Sequence, residues 1–163
     1  MKRMMISLVR LKQIVSGVAV ATVLIAWPAI AQSNFGNATL GNGFSAAEGT
    51  LSGNTGGSVS LSSAVAERDR TGNICLGYGT SAPDHIVTLG QDFSSLTFQV
   101  NSSGADTTLI VRGPGGLRCG NDVSRSNHND VVTGTNWGRG SYEVWVGTSN
   151  PATRVNYTLT VTP

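Results

Sequence analysis

Between residues 117 and 130 the chain reads LRCGNDVSRSNHND, fourteen positions holding one cysteine, one histidine, two aspartates and three asparagines in a sequence only 12% charged. Three chemistries use such residues. Calcium takes about six to eight oxygen ligands; Asp106, Asn121, Asp122, Asn129 and Asp130 can offer oxygens from two neighbouring loops, though their spacing fits no EF-hand. Zinc would use Cys75, His85, Cys119 and His128, yet none of these pairs has the short spacing of a structural zinc site. Hydrolysis needs an imidazole between a hydroxyl and a carboxylate; His85 and His128 are the two imidazoles, with Asp84 and Asp130 close in sequence. No G-x-S-x-G or H-E-x-x-H occurs, and no lysine follows residue 12 from which to build Ser-x-x-Lys. Beside all three stands the commonest use of Asn and Asp in loops, the Asx-turn that hydrogen-bonds the local backbone.

The N-terminal segment decides the compartment in which these residues act. MKRMMISLVRLK is basic, and IVSGVAVATVLIAWPAIAQ is an apolar run closing on the small-x-small triplet Ala29, Ile30, Ala31. That order predicts a secretory signal peptide over residues 1–31, hence a secreted or periplasmic protein with no stable membrane insertion after cleavage. The competing reading is a retained anchor, since the run approaches the ~20 residues that span a bilayer. Four of the eleven Lys and Arg residues fall in this segment, leaving seven arginines against nine carboxylates, a net charge of −2. With no lysine and no basic run, the remainder cannot track a phosphate backbone, which excludes nucleic acid as a partner. About 130 residues remain, enough for one domain around one core. Both cysteines, Cys75 and Cys119, lie in this part, and an even count in an exported chain predicts a disulfide between them. Closing a loop of that length stabilises by ~4 kcal/mol in the chain-entropy model.

Residues 32–57, QSNFGNATLGNGFSAAEGTLSGNTGG, are rich in Gly, Asn, Ser and Thr and read as a flexible leader, with room for one short strand. From residue 58 to 163 short alternating segments recur: SVSLS (58–62), DHIVTL (84–89), SLTFQVN (95–101), TTLIVR (107–112), DVVTG (130–134), SYEVWVG (141–147) and VNYTLTV (155–161). Each is β-branched or aromatic-rich and bounded by Gly, Pro, Asn or Ser, the pattern of strands. Only SSAVAERDR (62–70) offers a helical period. Alternation places Leu96, Phe98 and Val100 on one face, and likewise Tyr142, Val144, Val146 and Tyr157, Leu159, Val161. Half-buried strands of this kind build an all-β, antiparallel two-layer domain.

The same alternation turns Glu143 and Trp145 away from that core. Trp137 falls in the NWGRG loop and Tyr78 in a GYG turn just after Cys75. Flat aromatics outside the core can stack on sugars or anchor a protein, so Trp145, Trp137 and Tyr78 are the candidate ligand-binding residues. The alternative for Trp145 is a second small apolar cluster made with the leader.

The order ADTTLIVRGPGG (105–116), CGND (119–122), NDVV (129–132), RGSYEVWVGT (139–148) and NYTLTV (156–161) resembles the bacterial pre-peptidase C-terminal domain. The resemblance spans roughly residues 84–162. It implies a β-sandwich of jelly-roll type that is a non-catalytic accessory module of secreted peptidases, some members binding calcium. Two positions depart from the pattern: Thr108 stands where the family often has a second carboxylate, and Gly113 where it often has Asp. No peptidase sequence precedes the domain, so the expectation is a free-standing exported module, without a catalytic cofactor, that binds an extracellular protein or polysaccharide. A small secreted hydrolase using His85 or His128 is the alternative.

Overall fold

The computed structural model describes residues 32–124 and 126–163; residues 1–31, on which the expected signal peptide falls, and the side chains of Asn121 and Val123 lie outside the described residues. The described chain forms β1 (Ala38–Leu40), β2 (Thr50–Asn54), β3 (Val59–Ser60), a single turn of helix α1 (Leu61–Ala64), β4 (Tyr78–Gly79), β5 (His85–Leu89), β6 (Phe93–Asn101), β7 (Thr107–Gly113), β8 (Gly116–Cys119), β9 (Asn121–Ser124), β10 (Asn127–Trp137), β11 (Gly140–Thr148) and β12 (Asn156–Thr162). These strands make two sheets, an all-β sandwich, antiparallel throughout except where β1 runs parallel to β5.

The first sheet is organised around β11. One edge pairs with β7, Glu143↔Arg112 through Thr148↔Thr107, and β7 continues to β8. The other edge is shared: β5 pairs with Gly140–Val144, and β4 with Thr148. Between those partners the N–H of Val146 would be orphaned inside the fold, and the Asp84 carboxylate accepts it at 2.7 Å. The second sheet runs β2-β12-β6-β10-β9.

The inward faces interlock as alternation requires. Val87, Leu89, Leu109, Val111, Tyr142, Val144 and Val146 from the first sheet meet Leu96, Phe98, Val100, Val132, Tyr157, Leu159 and Val161 from the second. Large apolar side chains on both inner faces supply the main driving force for folding, ~25 cal/mol per Å² removed from water.

The segment expected to be a flexible leader is instead part of both sheets. β1 lies beside β5 and buries Leu40, while β2 pairs with β12 from Asn54↔Asn156 to Thr50↔Thr160. Few apolar residues mark β2, because β12 already carries the buried side chains and β2 adds chiefly backbone hydrogen bonds. The strand expected over 58–62 also breaks. β3 ends at Ser60, and the chain turns into α1 so that Leu61 is fully buried.

Candidate functional site

Trp145 does point away from the main core, but it is only 2% exposed, a correction to its expected place on a ligand face. The outer side of the first sheet carries a second apolar cluster, in which Ile110 and Trp145 are covered by Leu61 of α1 and the Cys75–Cys119 disulfide. The covering segment, residues 61–77, is thus the partner of Trp145, in place of the leader. The indole N–H donates to the Ser81 carbonyl at 3.4 Å, and the Arg112 guanidinium, paired with Glu143 at 2.7 Å, stands 4.8 Å from the ring centre.

Trp137 requires the same correction. β10 runs on through it, pairing Trp137 with Phe93, so the residue is strand and not loop. It is 1% exposed, rests against Phe98 and Tyr142, and has the Arg118 guanidinium 3.9 Å over its ring. Of the three expected aromatics only Tyr78, partly exposed in β4, still faces a surface depression.

That depression is a cleft of about 690 Å³ where the cover on the first sheet meets the β9–β10 hairpin at the edge of the second. Its lining brings together Ile74, Leu76 and Tyr78 with Asp106, Asp122 and Asp130. Ile74 and Leu76 are 53% and 64% exposed. Cys75 between them is fully buried and its N–H donates to the Glu67 carbonyl at 2.9 Å. Extended backbone reverses side-chain direction at each residue, so burying Cys75 turns its apolar neighbours to solvent. The cover is tied down by Asp69, whose carboxylate accepts the N–H groups of Thr71, Asn73 and Cys119. Burial works against its ionisation, but these bonds and that from the Thr71 hydroxyl outweigh it and hold Asp69 below the usual range.

Three of the five residues expected to ligate calcium reach this cleft, yet they do not form a shell. Asp130 is buried and its Oδ2 accepts the Leu109 N–H at 2.7 Å, joining the two sheets. Asp122 faces His128 Nδ1 at 3.1 Å. Asn129 turns elsewhere, its Oδ1 taking the Ser102 N–H and hydroxyl at 2.9 and 2.6 Å, and the Asn121 side chain is outside the described residues. Among the described residues no three acidic, histidine or cysteine side chains are grouped so as to hold a metal ion. The carboxylates still act on one another: burial first, then Asp122 and Asp106, push Asp130 up to about 7. Thr108, the position that departs from the family pattern, has a buried hydroxyl with no hydrogen-bond partner among the described residues.

The histidines do not assemble a triad. His85 is fully buried; a carbonyl can only accept, so its Nδ1–H donates to Gly36 O at 2.7 Å, and Nε2 accepts the Tyr157 hydroxyl at 2.9 Å. Both nitrogens are thereby committed, and burial holds the imidazole below its usual range against the effect of the Gly36 bond. His128 meets a carboxylate, but neither histidine bonds a serine hydroxyl among the described residues. Cys75 and Cys119 form the expected disulfide, with Cα atoms 5.3 Å apart.

The residues that sequence reasoning missed are Ile74, Leu76 and Asp69. The signal for the first two was the alternation I-C-L around a cysteine destined for burial.

No family model and no curated protein matches the chain. Among solved structures it is similar to the pre-peptidase C-terminal domain of a collagenase from Bacillus anthracis, with 12% identity over 77% of this chain and 94% of that one, and a TM-score of 0.43. The fold class rests on the sheets and registers given above.

Proposed function

We propose that residues 32–163 form an exported, non-catalytic binding module, accessory to an extracellular system, whose ligand surface is the cleft beneath the disulfide-pinned cover. The observation that carries this reading is the meeting of an exposed aliphatic pair and Tyr78 with three carboxylates across one depression. Large exposed aliphatics beside carboxyl groups are the ingredients of a recognition patch, in which an apolar anchor supplies affinity and polar groups supply register. The disulfide suits a domain made for an oxidising compartment.

The test is retention of extracellular proteins and polysaccharides on the immobilised domain. Ile74→Ser with Leu76→Ser should abolish retention, while Thr133→Ser on exposed β10 should leave it intact. Equal retention by both variants would move the ligand surface off the cleft. Turnover of peptide or ester substrates that disappears in His128→Ala would establish the hydrolase instead.

A further inference from the structure

We infer that the cleft recognises a basic side chain carried on an extended, aliphatic segment of a partner protein, with arginine at the carboxylates and its neighbours on Ile74 and Leu76. This rests on the cleft being the ligand surface. Charge comes first. Asp106, Asp122 and Asp130 all line the depression; Asp130 is buried and pushed up to about 7, so the charge offered to a ligand is that of the exposed Asp106 and Asp122. The upward push of Asp122 and Asp106 on Asp130 is the same negative field sensed from inside the wall. Neutral glycans would gain nothing from that field, and acidic ligands would be repelled.

Shape separates a side chain from a metal ion. The three carboxylates come from different elements, the loop before β7, strand β9 and strand β10, and they are not grouped so as to hold a metal ion. An ion needs its oxygens gathered at about 2.3 to 2.6 Å, whereas a guanidinium presents five donors in a rigid planar fork and can reach separated acceptors. The apolar part of the lining has no use for a hydrated ion. Ile74 and Leu76 can take the methylene stem of the basic residue and the aliphatic side chains beside it. Ser60, Ser62 and Ser124 also line the cleft, with hydroxyls that can bond a segment's backbone. A volume of about 690 Å³ falls inside the ~300 to 1,000 Å³ range of ligand sites, room for one long side chain and its neighbours.

The probe is a blocked pentapeptide, Gly-Val-Arg-Val-Gly, titrated into the disulfide-intact domain and followed by amide chemical shifts. A twin with glutamine for arginine is the comparison. The arginine peptide should perturb Ile74, Leu76, Asp106 and Asp122 and bind at least tenfold more tightly than its twin. Asp106→Asn with Asp122→Asn should remove that difference; both residues are exposed, so the fold is kept. Raising the salt from about 0.05 to about 0.5 M should weaken the arginine peptide and not the twin. Equal affinity of the two peptides, both lost in Ile74→Ser with Leu76→Ser, overturns the basic-ligand inference and leaves the cleft as the ligand surface. Affinity indifferent to both pairs of variants overturns the two together. Displacement of the peptide by calcium beyond that produced by sodium chloride of equal ionic strength assigns the carboxylates to the ion and overturns the inference.

Discussion

Trp145 shows how one side chain can be read correctly in direction and wrongly in environment. Strand alternation fixes which way a residue points, but whether solvent or another layer waits there depends on contacts distant in sequence. Here that layer is built by Leu61 and a disulfide whose halves are 44 residues apart. The consequence is energetic. Trp145→Ala should cost ~3 to 5 kcal/mol, the range for truncating a core aromatic, measured by urea unfolding at equilibrium. Thr108 should behave in the opposite sense. Its hydroxyl is buried without a partner among the described residues, and valine has nearly the same shape without the polar atom. Replacing an unsatisfied hydroxyl by an apolar isostere removes a desolvation cost of ~1 to 3 kcal/mol, so Thr108→Val should leave stability unchanged or raise it by ~1 kcal/mol in the same assay. Ile74 and Leu76 escaped the sequence reading because two exposed aliphatics carry no period; only the burial of Cys75 turns them outward.

Strands with an alternating apolar pattern, β5, β6, β11 and β12, and the continuous β-branched and apolar run of β7 were legible directly and lie where their patterns place them. β1, β2, β8 and β9 were not, because short edge strands are held by backbone pairing and need no apolar signature. Carboxylates complete those pairings where strands run out, and they give the fold a pH signature. Asp84 and Asp130 are pushed up to about 6 and about 7, in each case foremost by burial. Their unfolded counterparts ionise near 3.8. Between about pH 4 and 7 the folded chain therefore holds protons that the unfolded chain has released, and stability falls as pH rises through that window. His85 works the other way: held below 6.5, it favours the unfolded chain as pH falls beneath that value. Asp130→Asn, which keeps an oxygen for the Leu109 N–H, should flatten the fall by on the order of 4 kcal/mol. Thermal midpoints of wild type and variant from pH 4 to 8 would measure it; parallel curves would show that Asp130 is ionised in the fold throughout.

For the molecule as a whole, two apolar clusters lie on opposite sides of one sheet, and only the second depends on a covalent tie. Reduction should therefore lower stability by ~2 to 5 kcal/mol and loosen the cover before the sandwich melts. In a background with Trp27 and Trp137 both replaced by Phe, Trp145 emission should shift red and become quenchable under reductant while amide circular dichroism is retained. Loss of both signals at one temperature would mean that cover and sandwich unfold as one unit. The pairing of Cys75 with Cys119 was legible from cysteine count and compartment, whereas its role as the clasp of a lid over a tryptophan was not, since that requires knowing which sheet face is left bare. The clasp also sets a schedule. Without the bond nothing covalent pins Cys75, and Ile74 and Leu76 are held by the backbone bond of Cys75 to Glu67 and the bridge of Ile74 to Arg68. A chain with free thiols should then be a finished sandwich with a loosened cover, and oxidation the step that fixes Ile74 and Leu76 in place.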